Sequence, residues 1–296
     1  MALHFEPIDL KRQEAYRKML ARCEQIASDY SYINLWGWGP EYGLTWAWQA
    51  DLVWLHQKHP APVLWAPVGD WQAVDWQVAM AAARATSDRM IRIPQALARR
   101  LGDALGDAVR IEETREHWDY LYDVADLVAL KGNRYHKKKN LLNQFVNNNA
   151  YHYAGLDSAM IDQAMGMQED WCTWRDCEDN DTLAAENNAI ARVLNDWRSL
   201  TDLEGGALVV DEIIVAYTIA ESLPDSSLLI HFEKACPDYK GSYQAINQQF
   251  LAHAGQGHTL VNREQDLGDE GLRKAKESYH PLDYVRKYEL VWRATG

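Results

Sequence analysis

The chain has 296 residues, 47% hydrophobic and 25% charged, which leaves room for two ordinary domains and matches globular rather than disordered proteins. Its net charge of −13 argues against general binding to nucleic acid or anionic membranes. Cys23, Cys172, Cys177 and Cys236 make no C-x-x-C pair and are expected as reduced thiols; with no apolar signal-peptide core and no apolar run near the ~18 residues of a membrane helix, a cytoplasmic protein is expected.

In chain order, residues 1–8 read as a short strand and residues 9–29 as a helix with Asp9 as N-cap. A tryptophan-rich stretch follows, with Trp36, Trp38, Trp46, Trp48, Trp54, Trp65, Trp71 and Trp76 among Gly-Pro and His-Pro breaks. It predicts short antiparallel strands whose tryptophans are core and cross-strand pairs, with an aromatic ligand cage as the alternative. Residues 73–85 and 94–106 are predicted helices, and residues 118–130 a strand. The second half predicts a strand at YHYAGL, helices over 158–175 and 182–200, and a hairpin turning at Asp211-Glu212. A strand SLLIHFEKA, a helix over 242–254, a strand HTLVNRE, a helix DEGLRKAKESY and a last strand DYVRKYELVW complete it. Mixed order with mostly antiparallel neighbours means an α+β fold.

Charge is uneven along the chain. Residues 157–186 carry nine acids against one arginine, whereas 131–153 carry five cations and no acid. If residues 135–147 are helical, Tyr135, Leu142, Phe145 and Val146 share one face, and His136, Asn140, Asn143 and Asn147 form a polar stripe. Arg134, Lys137, Lys138 and Lys139 crowd its N-terminal end, where the helix dipole adds to their field. A phosphate bound there would offset the cost of those like charges; a solvated basic linker is the alternative.

On the strand LLIHFEK, simple alternation places His231 and Glu233 on one face, beside Glu221 of the preceding strand. His231, Glu233 and Glu221 are candidates for the base and ammonium ligands of an acyl transfer, and Lys234 for a donor to the developing oxyanion. A polar pair satisfied within the sheet is the alternative reading. Farther on, Asn262, Glu264 and Asp266 could bind an amino-acid ammonium, and Lys274 an acyl oxygen or phosphate; a turn network of ion pairs is the alternative there. No P-loop, G-x-S-x-G or H-E-x-x-H motif is present, which removes the commoner ATPase, hydrolase and zincin readings. No metal site is expected.

The element order resembles that of GCN5-related N-acetyltransferases. The stretches LKGNRYHKKKNLLNQF, HFEKACPDYKGSYQAINQQF and NREQDLGDEGLRKAKESYHP resemble one family more closely: soluble relatives of the C-terminal catalytic domain of phosphatidylglycerol lysyltransferase. The resemblance implies two fused acetyltransferase-like domains, each a mixed, mostly antiparallel sheet flanked by helices, drawn here as residues 1–128 and 129–296, with the active site in the second. It implies an acyltransferase with aminoacyl-tRNA as donor, no required cofactor, the tRNA acceptor end as partner, and a lipid headgroup or a small amine or hydroxyl as acceptor. Acyl-CoA as donor, or a non-catalytic binding module on the same fold, are the alternatives. Acetyltransferases carry a glycine-rich loop before this helix, to cradle the CoA diphosphate. Here Asp238-Tyr239-Lys240-Gly241-Ser242-Tyr243 keeps one glycine and places an acid where a basic or amide residue is expected, which fits aminoacyl-tRNA better. Tyr243 and Asn247, on the helix that follows, complete the expected substrate-binding set. No oligomeric state follows from the sequence.

Overall fold

The structure, a computed structural model, describes residues 3–293. In its first sheet, β1 (Glu6–Pro7), β2 (Thr45–Gln49), β3 (Leu52–Gln57), β4 (Val63–Gly69), β5 (Arg89–Pro94) and β6 (Val109–Glu113) are joined by β14 (Lys287–Trp292), in the order β1-β2-β3-β4-β5-β14-β6. The second sheet contains β7 (Asp119–Asp123), β8 (Tyr151–Gly155), β9 (Leu203–Val210), β10 (Ile213–Ser222), β11 (Leu228–Ala235), β12 (Leu260–Asn262) and β13 (Asp283–Val285), in the order β13-β7-β12-β11-β10-β9-β8. Helices α1 (Gln13–Leu20), α2 (Tyr32–Tyr42), α3 (Trp76–Arg84) and α4 (Gln95–Leu105) belong to the first unit. Helices α5 (Val124–Ala129), α6 (His136–Asn148), α7 (Ile161–Trp174), α8 (Asp181–Asn195), α9 (Ser242–Ala254) and α10 (Glu270–Glu277) belong to the second.

The two units are not sequential halves. One comprises Met1–Asp119, Gln265–Asp269 and Tyr284–Gly296; the other comprises Tyr120–Glu264 and Glu270–Asp283. The segment read from sequence as one last strand is therefore two, β13 in the second sheet and β14 between β5 and β6 of the first.

In the first unit Trp46, Trp54, Trp65, Trp71 and Trp76 of the tryptophan-rich stretch are core, whereas Trp36, Trp38 and Trp48 are half-buried. Trp46, Trp54 and Trp71 are almost wholly buried, and Trp46 and Trp54 stand in antiparallel register opposite Leu55 and Ala47. The helix expected over 9–29 is shorter: a turn at Leu10–Arg12, then α1, which stops at Leu20. No polar cluster is evident in the first 128 residues by sequence, yet the fold assembles one. Lys287 donates to Asp29 and to Asp119 (2.6 Å), Arg92 donates to Asp29, and Ser28 donates to Asp119 through both its N–H and its hydroxyl. Two buried cations face two buried carboxylates, so the cluster neutralises itself and fastens β14 into this sheet.

In the second unit, residues 118–130 are not one strand. Asp123 accepts a hydrogen bond from the Asp126 N–H (2.8 Å) and caps α5, turning strand into helix. The predicted hairpin turn is present, with Asp211 and Glu212 both at positive φ (49° and 63°), the geometry of a two-residue turn whose twist matches its strands. Cys172 and Cys177, expected as free thiols, are joined by a disulfide. The last turn of α7 and the short turn at Cys177–Asp179 bring their Cα atoms to 5.1 Å.

Candidate acyl-transfer site

The second sheet has a wedge in it. Parallel β11 and β12 pair only through Leu228 with Val261 and Leu229 with Asn262. Beyond that point β11 carries a bulge: Ile219 pairs with Phe232 and Ala220 with Ile230, so His231 is the extra residue. A bulge re-aims a side chain and breaks simple alternation. It frees His231 from the ladder, so that its Nε2 lies 3.0 Å from Glu221 Oε1 and its Nδ1 lies 3.1 Å from Glu264 Oε1.

The other edge of the wedge is held in an unusual backbone conformation. Glu264 has φ +57°, a left-handed geometry that costs a side-chain-bearing residue about 1 kcal/mol. The Asn262 side-chain oxygen accepts from the Glu264 N–H (2.8 Å), and the Glu264 carbonyl accepts from the Tyr120 N–H (3.1 Å). The strained turn aims the Glu264 carboxylate back at His231.

His231 has a fully buried side chain, as nearly has Glu221, whereas Glu264 keeps 19% of its side chain exposed. Burial disfavours charge on the imidazole, but hydrogen bonds to Glu221 and Glu264 overcome it and raise the His231 pKa to about 9. At neutral pH the ring holds both protons and donates both. Its part is therefore to position and neutralise, and Glu264 is the member of the trio open to solvent.

Glu233, expected beside His231, lies in a second cluster. Its carboxylate accepts from Arg263 Nη2 (2.9 Å) and from Asn247 Nδ2 (3.0 Å), the latter on α9. Arg263 lies over the rings of Tyr122 and Tyr279. Lys138 stands 4.1 Å from the centre of the Tyr279 ring. Burial and then the Arg263 charge lower its pKa to about 8, against a smaller upward pull from Glu233. Two cations thus converge on one tyrosine, a setting that an anion would relieve.

The remaining candidates separate. Arg134 pairs with Asp126 (2.6 Å) and lies over Tyr135, which is buried. His136 and Asn140 contact each other (3.1 Å) on the exposed side of α6, and Lys137 is exposed. Lys234 faces away from Glu233: it pairs with Glu186 (2.7 Å) and stands 3.8 Å from the Trp171 ring centre, while Trp171 Nε1 donates to the Tyr243 hydroxyl (3.0 Å). Lys274 is exposed on α10, and it is Lys276 that reaches inward, donating to the Arg263 carbonyl. Asp266 belongs to the first unit, fully buried and paired with Arg115 (3.1 Å).

Tyr279 is not singled out by sequence, and Arg263 and Lys276 stand in the candidate stretch without a role of their own. Alternation along NRE puts Arg263 opposite Glu264, but past Asn262 the strand has ended and the rule no longer applies. Gly241, where a diphosphate cradle would sit, is occupied by protein. At φ +90° it stands so close to α6 that a Cβ would lie 2.0 Å from the Leu141 carbonyl oxygen, a partial negative charge that disfavours an anion there.

Residues 20–291 match the family described as phosphatidylglycerol lysyltransferase, C-terminal. A conserved protein of unknown function from Bacteroides thetaiotaomicron shares 28% identity at a TM-score of 0.89, covering 98% of this chain and 100% of that one. The L-PGS structure from Bacillus licheniformis shares the fold at 13% identity and a TM-score of 0.68, over 98% and 94% of the two chains. An uncharacterized protein of Mycoplasmoides gallisepticum is 25% identical over 174 residues, 57% of this chain and 54% of that protein, so the chain spans about half the length of that curated relative. Among the described residues no helix is long and apolar enough to cross a membrane. The fold is that of two acetyltransferase-like units, and the chain belongs to the phosphatidylglycerol lysyltransferase C-terminal domain family.

Proposed function

We propose that this protein transfers an aminoacyl group from aminoacyl-tRNA to a lipid headgroup or to a small amine or hydroxyl acceptor. The observation that carries the reading is the wedge between β11 and β12, where an imidazolium sits between two carboxylates, one of them reaching solvent. An aminoacyl ester is already activated, so the protein must chiefly position the partners and take up a proton. The acceptor's nitrogen or oxygen attacks the ester carbonyl carbon. Its proton passes to the Glu264 carboxylate, the bond to the tRNA ribose oxygen breaks, and that oxygen takes up a proton. The trio of Glu221, His231 and Glu264 carries a net charge of −1 with the ring protonated, which suits a substrate ammonium. Lys138 and Arg263 supply positive charge for the donor's phosphate. The carbonyl of Leu141 against Gly241 weighs against a CoA diphosphate.

The test is a transfer assay with labelled aminoacyl-tRNAs and an extract containing lipids and small amines. Label should move to an organic-soluble or small-molecule acceptor, and Glu264→Gln should slow it by roughly 10²-fold or more. If every charged tRNA stays charged and none binds, the reading falls.

A further inference from the structure

The second unit has a cleft of about 380 Å³ lined from α7, the start of β10 and the residue after β11. Its floor includes Val215 and Cys236, which follows the last residue of β11; His231 and Ala235 are four strand residues apart, roughly 13 Å. The volume lies in the range of small-molecule sites, about 300–1,000 Å³. The walls are apolar and aromatic, from Met167, Trp174, Ile213 and Tyr239, and Trp174 and Ile213 remain 40% and 64% exposed. Large side chains left in water beside a concave surface mark binding sites more often than scattered ones do.

Two further features narrow the ligand. Asp170 and Glu212 stand at the cleft, and among the described residues neither is paired with a cation. Gly166, in the middle of α7, also lines it, and a Cβ built there meets nothing within 4 Å. A mid-helix glycine costs about 1 kcal/mol against alanine. No neighbour demands it here, and it leaves that part of the cleft wall without a side chain.

We propose that this cleft binds an organic amine: an ammonium held by Asp170 and Glu212, with its apolar body against Trp174, Met167 and Ile213. Aromatic rings and unpaired carboxylates around a small apolar floor are what such a cation selects. The site stands independently of the aminoacyl-transfer reading.

The test uses three probes of one shape, hexylamine, hexanol and hexanoate, with affinity read by calorimetry and alkylation of Cys236 by peptide mass spectrometry. Hexylamine should bind roughly tenfold more tightly than hexanol, and hexanoate least. Hexylamine should also slow Cys236 alkylation. The double variant Asp170→Asn, Glu212→Gln, both at exposed positions, should bring amine and alcohol to within about threefold of each other. Gly166→Leu should abolish binding of all three without lowering the melting temperature. Equal binding of amine and alcohol by the native protein, an amine preference that survives the double variant, undiminished binding in Gly166→Leu, or no binding of hexylamine would each overturn the proposal.

Discussion

His231 Nδ1 lies 3.1 Å from Glu264 Oε1, and this contact spans the gap where the backbone pairing of β11 and β12 has stopped. With the opposite nitrogen on Glu221, the ring is held at both ends, so its charge belongs to the fold as well as to the chemistry proposed for it.

That charge gives a pH signature. The folded pKa, about 9, is above the ordinary 6.5. The stabilisation is therefore full below about pH 6.5 and lost as the pH rises through 9. It is on the order of 3 kcal/mol. Denaturant midpoints measured from pH 6 to 10 should fall toward the alkaline end, and His231→Gln should flatten that slope. An unchanged slope in the variant would mean that His231 is not the titrating group.

Lys138 and Lys137 are neighbours in sequence but not in environment. Lys138→Glu should abolish donor binding, whereas Lys137→Glu should weaken it no more than any exposed charge reversal does. Because the Lys138 pKa is lowered to about 8, anion affinity that depends on it should be present below that pH and decline above it. Filter binding of aminoacyl-tRNA from pH 6.5 to 9 measures both effects. Equal losses in the two variants would count against the assignment.

Glu233 and Arg263 form an ion pair with side chains only 10% and 14% exposed. Removing one partner of such a pair leaves the other charge unmatched. Glu233→Ala should cost about 3 kcal/mol, read from urea unfolding. The double variant Glu233→Leu, Arg263→Met should recover much of it. If the single variant costs less than about 1 kcal/mol, the pair is solvated in solution.

Gly241 tests the close approach of α6 to α9. An alanine there would meet the Leu141 carbonyl and keep an unfavourable positive φ, so Gly241→Ala should destabilise by at least about 2 kcal/mol. A neutral substitution would show that the loop can move aside, and would reopen the diphosphate reading.

Much of this was legible in the chain itself. Hydrophobic period placed α6, α7, α8 and α9 and the strands β8 to β11 within a few residues, because each buries one face and its spacing records that face. The Asp211-Glu212 turn follows from its flanking strands, and residue type and strand position alone single out His231, Glu221 and Glu264, though not their contact. What sequence could not decide was contact between distant positions. Lys287 reaches Asp29 across more than 250 residues, and β14 enters the first sheet although its sequence continues β13 without a break. Local spacing records which face of an element is buried, but not which sheet receives it. The regrouping of Glu233 with Arg263 and Lys138, and of His231 with the two glutamates, came from a one-residue bulge and a single left-handed turn. Both break the period-two rule where the strands part, and tertiary packing, which alone can hold such strained backbone in place, decided them.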